Sequence, residues 1–214
     1  EGTPAEEPVV PRVERLTEVR EVQRLVPGKT QASLVWGVPG PARRDPDYYA
    51  ALLANTILGE LGMMGRLGET VRDAQGLAYG VRSVLEAGVG AGPWLVHAGV
   101  APQNVERARE AIVRVIEGLL NRDPEEAELA DARAYRVGQL ALRLETNDGV
   151  AATLLQMERY DLGLDYLERF PALLEEVTPE QVRRAAARYL STSAYAVAIA
   201  LPGKEGASTW NVER

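Results

Sequence analysis

The chain has no cysteine and only one histidine, His97, among its 214 residues. The lack of cysteine excludes disulfides, thiolate metal sites and cysteine nucleophiles. A single imidazole cannot build a zinc centre of the common kind, because zinc prefers several nitrogen or sulfur ligands. Lysine is also scarce, since Lys29 and Lys204 are its two examples and almost every cationic position is arginine.

Excess positive charge and long apolar runs are missing as well. The formal net charge is -7, and an acidic surface does not attract polyanions, so we expect no nucleic-acid partner. No apolar run approaches the roughly 20 residues of a membrane span. The first residues have neither the basic nor the apolar region of a signal peptide. We expect a soluble protein of the bacterial cytoplasm or periplasm, with no membrane span.

The sequence predicts one domain with short extensions. Hydrophobic residues make up 46% of the chain, which is enough for a core of substantial size. Residues 1–12 are rich in proline and glutamate and lack periodic apolar positions, so we interpret them as a linker. Residues 13–202 form the expected domain. Residues 203–214 are polar and are predicted to be a flexible tail.

Short β-type segments and amphipathic helices alternate in blocks along this domain. Residues 19–26 and 31–38 are predicted to be adjacent strands, and residues 78–85 and 94–100 a second strand pair. Alanines alternate with large residues in 194–201, which indicates a closing strand with one bulky and one closely approached face. Because strands come mostly in pairs, we expect an α+β fold, with a mainly antiparallel sheet and helices packed on one side.

The helices have recognisable starts and stops. Helices are predicted over residues 45–59, 65–74 and about 105–119, and nearly throughout 125–177 with breaks at 147–149 and near Gly163. Capping-box sequences at 123–126 and 178–181 predict two helix starts.

The most specific motif is Arg72-Asp-Ala-Gln-Gly-Leu-Ala-Tyr79. It predicts a helix end, a glycine stop at Gly76, Leu77 folded back onto the helix and a strand beginning at Tyr79. Arg72 and Tyr79 can then point toward one region, where a guanidinium and a phenol could hydrogen-bond peptide carbonyls. The competing interpretation pairs Arg72 with Glu69 and makes Tyr79 a half-buried strand aromatic.

The segment 58–79 resembles the C-terminal domain of the pitrilysin, insulinase and mitochondrial processing peptidase family of zinc peptidases. In that family a helix bearing Ser-Arg-Leu precedes Arg-Glu-x-x-Gly-Leu-Ala-Tyr. Gly65-Arg66-Leu67 and residues 72–79 correspond to these two elements here. Gly65 replaces the common serine, and Asp73-Ala74-Gln75 departs from the usual charged stretch.

The resemblance implies a metalloenzyme LuxS/peptidase-like domain that performs no catalysis by itself. Zinc would lie in a homologous partner half that carries His-x-x-Glu-His, as a domain or a separate subunit, and no cofactor would bind this chain. Arg72 and Tyr79 would contact the peptide substrate. The alternative function is an assembly subunit of the same lineage, comparable to the core proteins of respiratory complexes. An unrelated binding domain is a third interpretation.

Other candidate residues favour ordinary roles. His97 shares a strand face with Leu95 and Gly99 and is interpreted as an ordinary strand histidine. The carboxylates Glu125, Glu126 and Glu128 are explained by a helix start and solvation. Residues 191–193 would have only His97 as a base, which argues against a serine hydrolase. The glycines at 59, 62, 65 and 68 do not match a phosphate-binding loop and indicate close packing or flexibility in a helix-linking loop.

Overall fold

A six-stranded sheet is the centre of the molecule in the computed structural model, which describes residues 9–61, 64–203 and 210–213. The strands are β1 (Arg20–Pro27), β2 (Ala32–Pro39), β3 (Ala78–Leu85), β4 (Pro93–Val100), β5 (Ala196–Gly203) and β6 (Trp210–Glu213). Their spatial order is β3-β4-β2-β5-β1-β6. Four neighbouring pairs are antiparallel and one, β1 with β5, is parallel. The predicted mainly antiparallel sheet is confirmed.

The expectation that the first two strands are adjacent is wrong. β5 lies between them, parallel to β1 and antiparallel to β2. The physical reason is that one strand from the far end of the chain uses the hydrogen-bonding edges of both β1 and β2. The turn at Pro27-Gly28, where Gly28 has a φ of +77°, therefore connects two strands that share a neighbour. The β3–β4 pair forms as predicted.

The two faces of the sheet have different surroundings. Leu34 and Trp36 of β2 and Trp94 and Val96 of β4 are fully buried on the core face, and the helices pack against this side. On the opposite face an open, mostly apolar groove of about 910 Å³ is lined by residues of β1, β2, β4 and β5 and by part of the segment 13–18. Helices on one side of the sheet are therefore confirmed.

β5 shows why alanine alternates in the closing strand. Val197 and Ile199 are buried on the core face, whereas Ala196 and Ala198 line the open groove. The small residues therefore keep the groove wide, rather than accommodating a closely packed neighbour as the sequence predicted.

The helices connect the strands over the core face. A continuous helical run consists of α1 (Tyr48–Asn55) and a wider π-helical turn, π1 (Thr56–Glu60), and a second π-helical segment, π2 (Gly68–Ala74), precedes β3. After β4 follow α2 (Val105–Asn121), α3 (Glu126–Arg143), α4 (Asn147–Arg159), α5 (Tyr166–Glu175) and α6 (Pro179–Tyr189). The predicted helices are all present, with α3, α4 and α5 covering the long helical region.

Capping explains the helix boundaries. Thr178 and Gln181 form the predicted capping box at the start of α6. At α3 the box is made by Glu125 and Glu128, rather than by Asp123, because the Asp123 carboxylate instead accepts a 2.7 Å hydrogen bond from Arg183.

A helix cap and a left-handed glycine set the breaks between the later helices. Residues 147–149 open α4 instead of interrupting a helix, since the Thr146 side chain accepts from the Gly149 N–H. The break at Gly163, whose φ is +86°, is confirmed.

The chain ends were expected to be irregular. Residues 9–12 of the expected linker have no regular structure, and residues 1–8 lie outside the described residues. Within the expected tail, residues 210–213 form β6 against β1. Residues 204–209 and 214 also lie outside the described part.

Candidate functional site

The turn between π2 and β3 has the geometry that the motif predicts. Gly76 adopts a left-handed φ of +59°, which is inexpensive only for glycine. Its N–H donates to the Arg72 carbonyl at 2.9 Å, and the Leu77 N–H donates to the Val71 carbonyl at 3.0 Å. Leu77 and Val71 are both buried in the core. Hydrogen bonds and apolar burial together hold the helix end and the strand start in one orientation.

Tyr79 is the extra residue of a β-bulge. Ala78 lies opposite Val100 and Gly80 lies opposite Gly99, so Tyr79 has no counterpart on β4. A bulge re-aims the side chain at the inserted position. Tyr79 is accordingly 81% exposed, although Ala78 beside it is buried. The interpretation of Tyr79 as a half-buried strand aromatic is therefore wrong.

Arg72 lies in the last turn of π2 and is half-buried. In the described part of the chain, no carboxylate comes within ion-pair distance of its guanidinium, so the alternative pairing with Glu69 is not formed. The Tyr79 hydroxyl likewise has no hydrogen-bond partner among residues 9–61 and 64–203. Two strong donors with free hydrogen-bonding capacity thus flank the same rigid turn, at the open edge of the sheet formed by β3.

Arg66, the arginine of the first motif element, has a different role. Its Nε and one terminal nitrogen donate to the two carboxylate oxygens of Glu128, both at 2.8 Å. This bidentate hydrogen bonding lowers the pKa of Glu128, because it favours the charged form. The fully buried Leu67 anchors the same segment in the core. Glu128 therefore fixes the segment before π2 to α3, a role that goes beyond capping and solvation.

Two glycines allow the helical segments to approach one another. A Cβ on Gly59 would lie 2.9 Å from the Ser83 backbone nitrogen, and one on Gly65 would lie 3.0 Å from the Gly59 Cα. Close packing is therefore the confirmed reason for these two positions. Gly62, in the middle of the predicted series, lies outside the described residues.

A buried polar network behind β3 was not found from the sequence. Arg136 of α3 donates to the carboxylate of Glu60, and to the Thr56 hydroxyl at 2.7 Å. Asn55 donates to Glu60 at 2.7 Å and accepts from the Ser83 hydroxyl at 2.5 Å. An arginine among the polar positions of an amphipathic helix looks solvent-exposed in sequence, so no local signal distinguishes Arg136.

The zinc ligands of a peptidase do not fit this chain. In the described residues no group of three or more histidine, cysteine, aspartate or glutamate side chains could hold a metal ion. His97 lies opposite Val35 on one side and Arg82 on the other, and neither neighbour is a metal ligand.

No helix in the described part is both long and apolar enough to cross a bilayer.

Similarity to known proteins defines the class of this domain. The family described as Peptidase M16 inactive domain matches residues 1–135. An uncharacterized zinc protease from Streptomyces coelicolor is 33% identical over 190 residues, which covers 86% of this chain and 40% of that protein. The crystal structure of a peptidase M16 inactive domain from Pseudomonas fluorescens superposes with a TM-score of 0.81 at 28% identity, covering 97% of this chain and 48% of that one.

A more distant solved structure shares the fold. A chain of complex III from Candida albicans has a TM-score of 0.73 at 17% identity, over 84% of this chain and 45% of that one, and this likeness concerns the fold alone. From its sequence matches, the chain belongs to the peptidase M16 inactive-domain family. It spans less than half the length of the zinc protease relative from Streptomyces.

Proposed function

We propose that this chain is the noncatalytic, substrate-binding half of a zinc metallopeptidase and acts with a homologous zinc-bearing domain or subunit. Arg72 and Tyr79 would donate hydrogen bonds to the backbone carbonyls of a bound peptide near the bond that is cut. The observation that carries the proposal is that both side chains lack partners in the described part of the chain, although the turn between them is rigid.

The chemistry of the two donors suits this role. A peptide carbonyl gains negative charge when the bond is attacked, and donors fixed in advance stabilise that charge without reorganisation. The partner half would supply zinc and the activated water. Since the described residues contain no metal site, this chain would contribute binding and orientation, which raise the rate by positioning the peptide.

Reconstitution tests the proposal. The purified chain is mixed with a chain from the same organism that carries His-x-x-Glu-His, and cleavage of a fluorogenic peptide is measured. Arg72→Ala should lower kcat/KM by about 10- to 100-fold, since a hydrogen bond from a charged donor is worth about 1.5–3 kcal/mol. Tyr79→Phe removes a neutral donor and should cost about 2- to 10-fold.

The matched control is Arg107→Ala, because Arg107 is an exposed arginine on α2 without an ion pair in the described part of the chain. Its kcat/KM should equal that of the wild type. If Arg72→Ala and Tyr79→Phe, like the Arg107→Ala control, cleave the peptide at the wild-type rate, the role of Arg72 and Tyr79 is refuted. An assembly function becomes the better account if the chain joins a stable complex that cleaves no peptide with or without zinc.

A further inference from the structure

A second cavity lies on the helix side of β3, about 520 Å³ in volume and lined by residues of α1, β3, α3 and α4. This volume falls within the range of small-molecule sites in proteins. Its charged lining consists of four arginines and two glutamates: Arg43, Arg82, Arg136, Arg143, Glu60 and Glu86. The cavity thus has a positive excess in a chain whose net charge is -7.

Arg43 is the distinctive residue of this cavity. It is only 7% exposed, and its guanidinium carbon lies 4.0 Å from the centre of the Tyr48 ring. Its Nη2 donates to the Tyr166 hydroxyl at 3.0 Å. No carboxylate of the described residues forms an ion pair with it. A nearly dehydrated cation without a counter-ion is costly, and the cation–π contact with Tyr48 offsets only part of that cost.

The surrounding tyrosines do not neutralise Arg43. Burial raises the pKa of Tyr48 and of Tyr166, so both phenols are uncharged at neutral pH. Arg136, by contrast, is already paired with Glu60. Arg43 is therefore the uncompensated buried charge of the cavity, while Arg82 and Arg143 add exposed positive charge at its lining.

The geometry points to an oxyanion site: the cavity binds a small ligand or peptide end through a carboxylate or phosphate group held by Arg43. A guanidinium matches the paired oxygens of either group, and the aromatic walls exclude water from the ion pair. The rings of Tyr48 and Tyr160, which also line the cavity, would contact the apolar remainder of the ligand. The proposal is independent of Arg72 and Tyr79, whose side chains are not part of this lining.

Calorimetric titration of the whole chain with three probes tests the site. The probes are a short peptide with a free C-terminal carboxylate, the same peptide as its C-terminal amide, and inorganic phosphate. We expect saturable binding of the carboxylate peptide, of phosphate or of both, and none of the amide. Which anion binds identifies the source of the oxyanion. Saturable binding by neither anion, or equal binding of the amide and the carboxylate peptide, would overturn the proposal.

Two sets of variants locate the binding. Arg43→Gln should weaken it at least about tenfold, because a charge-assisted hydrogen bond is lost. The double variant Arg82→Gln/Arg143→Gln changes two exposed side chains that line the cavity. It should fold like the wild type, since exposed substitutions cost little stability, and should weaken binding about two- to fivefold per arginine. Arg107→Gln on α2 is the control and should leave Kd unchanged. A double variant with wild-type Kd contradicts the site even if Arg43→Gln fails to fold.

Discussion

Arg72 and Arg136 both lie in helical segments near β3, but only the guanidinium of Arg136 is hydrogen-bonded within the described part of the chain. Arg136 is buried and donates to Glu60, Thr56 and Gln139. Arg72 is half-buried and has no such partner in the described part of the chain. Arg136 therefore stabilises the fold, whereas Arg72 is available to a ligand.

Breaking the Arg136 pair should give the largest effect on stability. Glu60→Gln keeps the shape of the side chain but leaves a buried cation uncompensated. We expect a loss of about 3 kcal/mol in the free energy of unfolding, at the low end for buried pairs, because the Glu60 side chain remains 24% exposed. Urea unfolding measures this. Glu175→Gln removes an exposed carboxylate from Arg133, which keeps Glu126 and the Val177 carbonyl as partners, and should cost under about 0.5 kcal/mol. Similar losses in the two variants would show that the network is not a stabilising unit.

The turn that carries Arg72 and Tyr79 can be strained without changing either side chain. Gly76→Ala should destabilise the protein by about 1–2 kcal/mol, because an L-residue is forced to a φ of +59°. A Cβ there meets no atom within 4 Å, so the cost is confined to the backbone. Gly138→Ala is the matched control in the exposed interior of α3, also without atoms near its Cβ. It should stabilise by about 0.5–1 kcal/mol. Effects of the same sign would contradict the left-handed turn.

The Arg66–Glu128 pair adds a pH-dependent contribution. The folded-state pKa of Glu128 is lowered by its hydrogen bonds from Arg66. The stabilisation is therefore fully present above the ordinary value of 4.5 and is lost as the pH falls through the lower folded-state pKa. Glu128→Gln should cost about 1 kcal/mol at pH 7, a modest value because both side chains are partly exposed. This difference from the wild type should shrink steadily below pH 4.5. A difference that does not depend on pH would argue against the ion pair.

The smallest stability effect is expected for Arg72→Ala. Because Arg72 has no partner in the described part of the chain, the free energy of unfolding of this variant should stay within about 0.5 kcal/mol of the wild-type value. Chemical denaturation compares it with Arg136→Ala, which should lose about 3 kcal/mol because the partly buried carboxylate of Glu60 is left unpaired. A large loss for Arg72→Ala would mean that the residue is structural, and it would remove the contrast on which the proposed function rests.

Local sequence signals predicted much of the fold. The capping box at Thr178, the left-handed Gly76 and the alternation in β4 each act over a few residues, so they can be recognised in the sequence. The position of β5 between β1 and β2 depends on contacts between distant parts of the chain. Nothing in residues 19–38 indicates that another strand separates them.

The candidate site was also only partly predictable from the sequence. The motif identified Arg72, Tyr79 and the turn between them, but the bulge that exposes Tyr79 is visible only from the register of β3 against β4. The role of Glu128 also escaped prediction, because its partner Arg66 lies 62 residues earlier in the chain. Arg43 and Arg136 were missed since burial of an arginine follows from tertiary packing alone.

Photo-crosslinking from position 79 shows whether Tyr79 lies against the bound substrate peptide. Tyr79 is replaced by benzoylphenylalanine, the protein is assembled with the zinc-bearing half, and a labelled substrate peptide is irradiated in the complex. The same replacement at Val89, which is half-exposed in the loop at the far end of the β3–β4 hairpin, provides the control. We expect position 79 to capture the peptide and position 89 not to. Equal labelling at both positions, or none at position 79 in an assembly that still cleaves the peptide, would contradict this expectation.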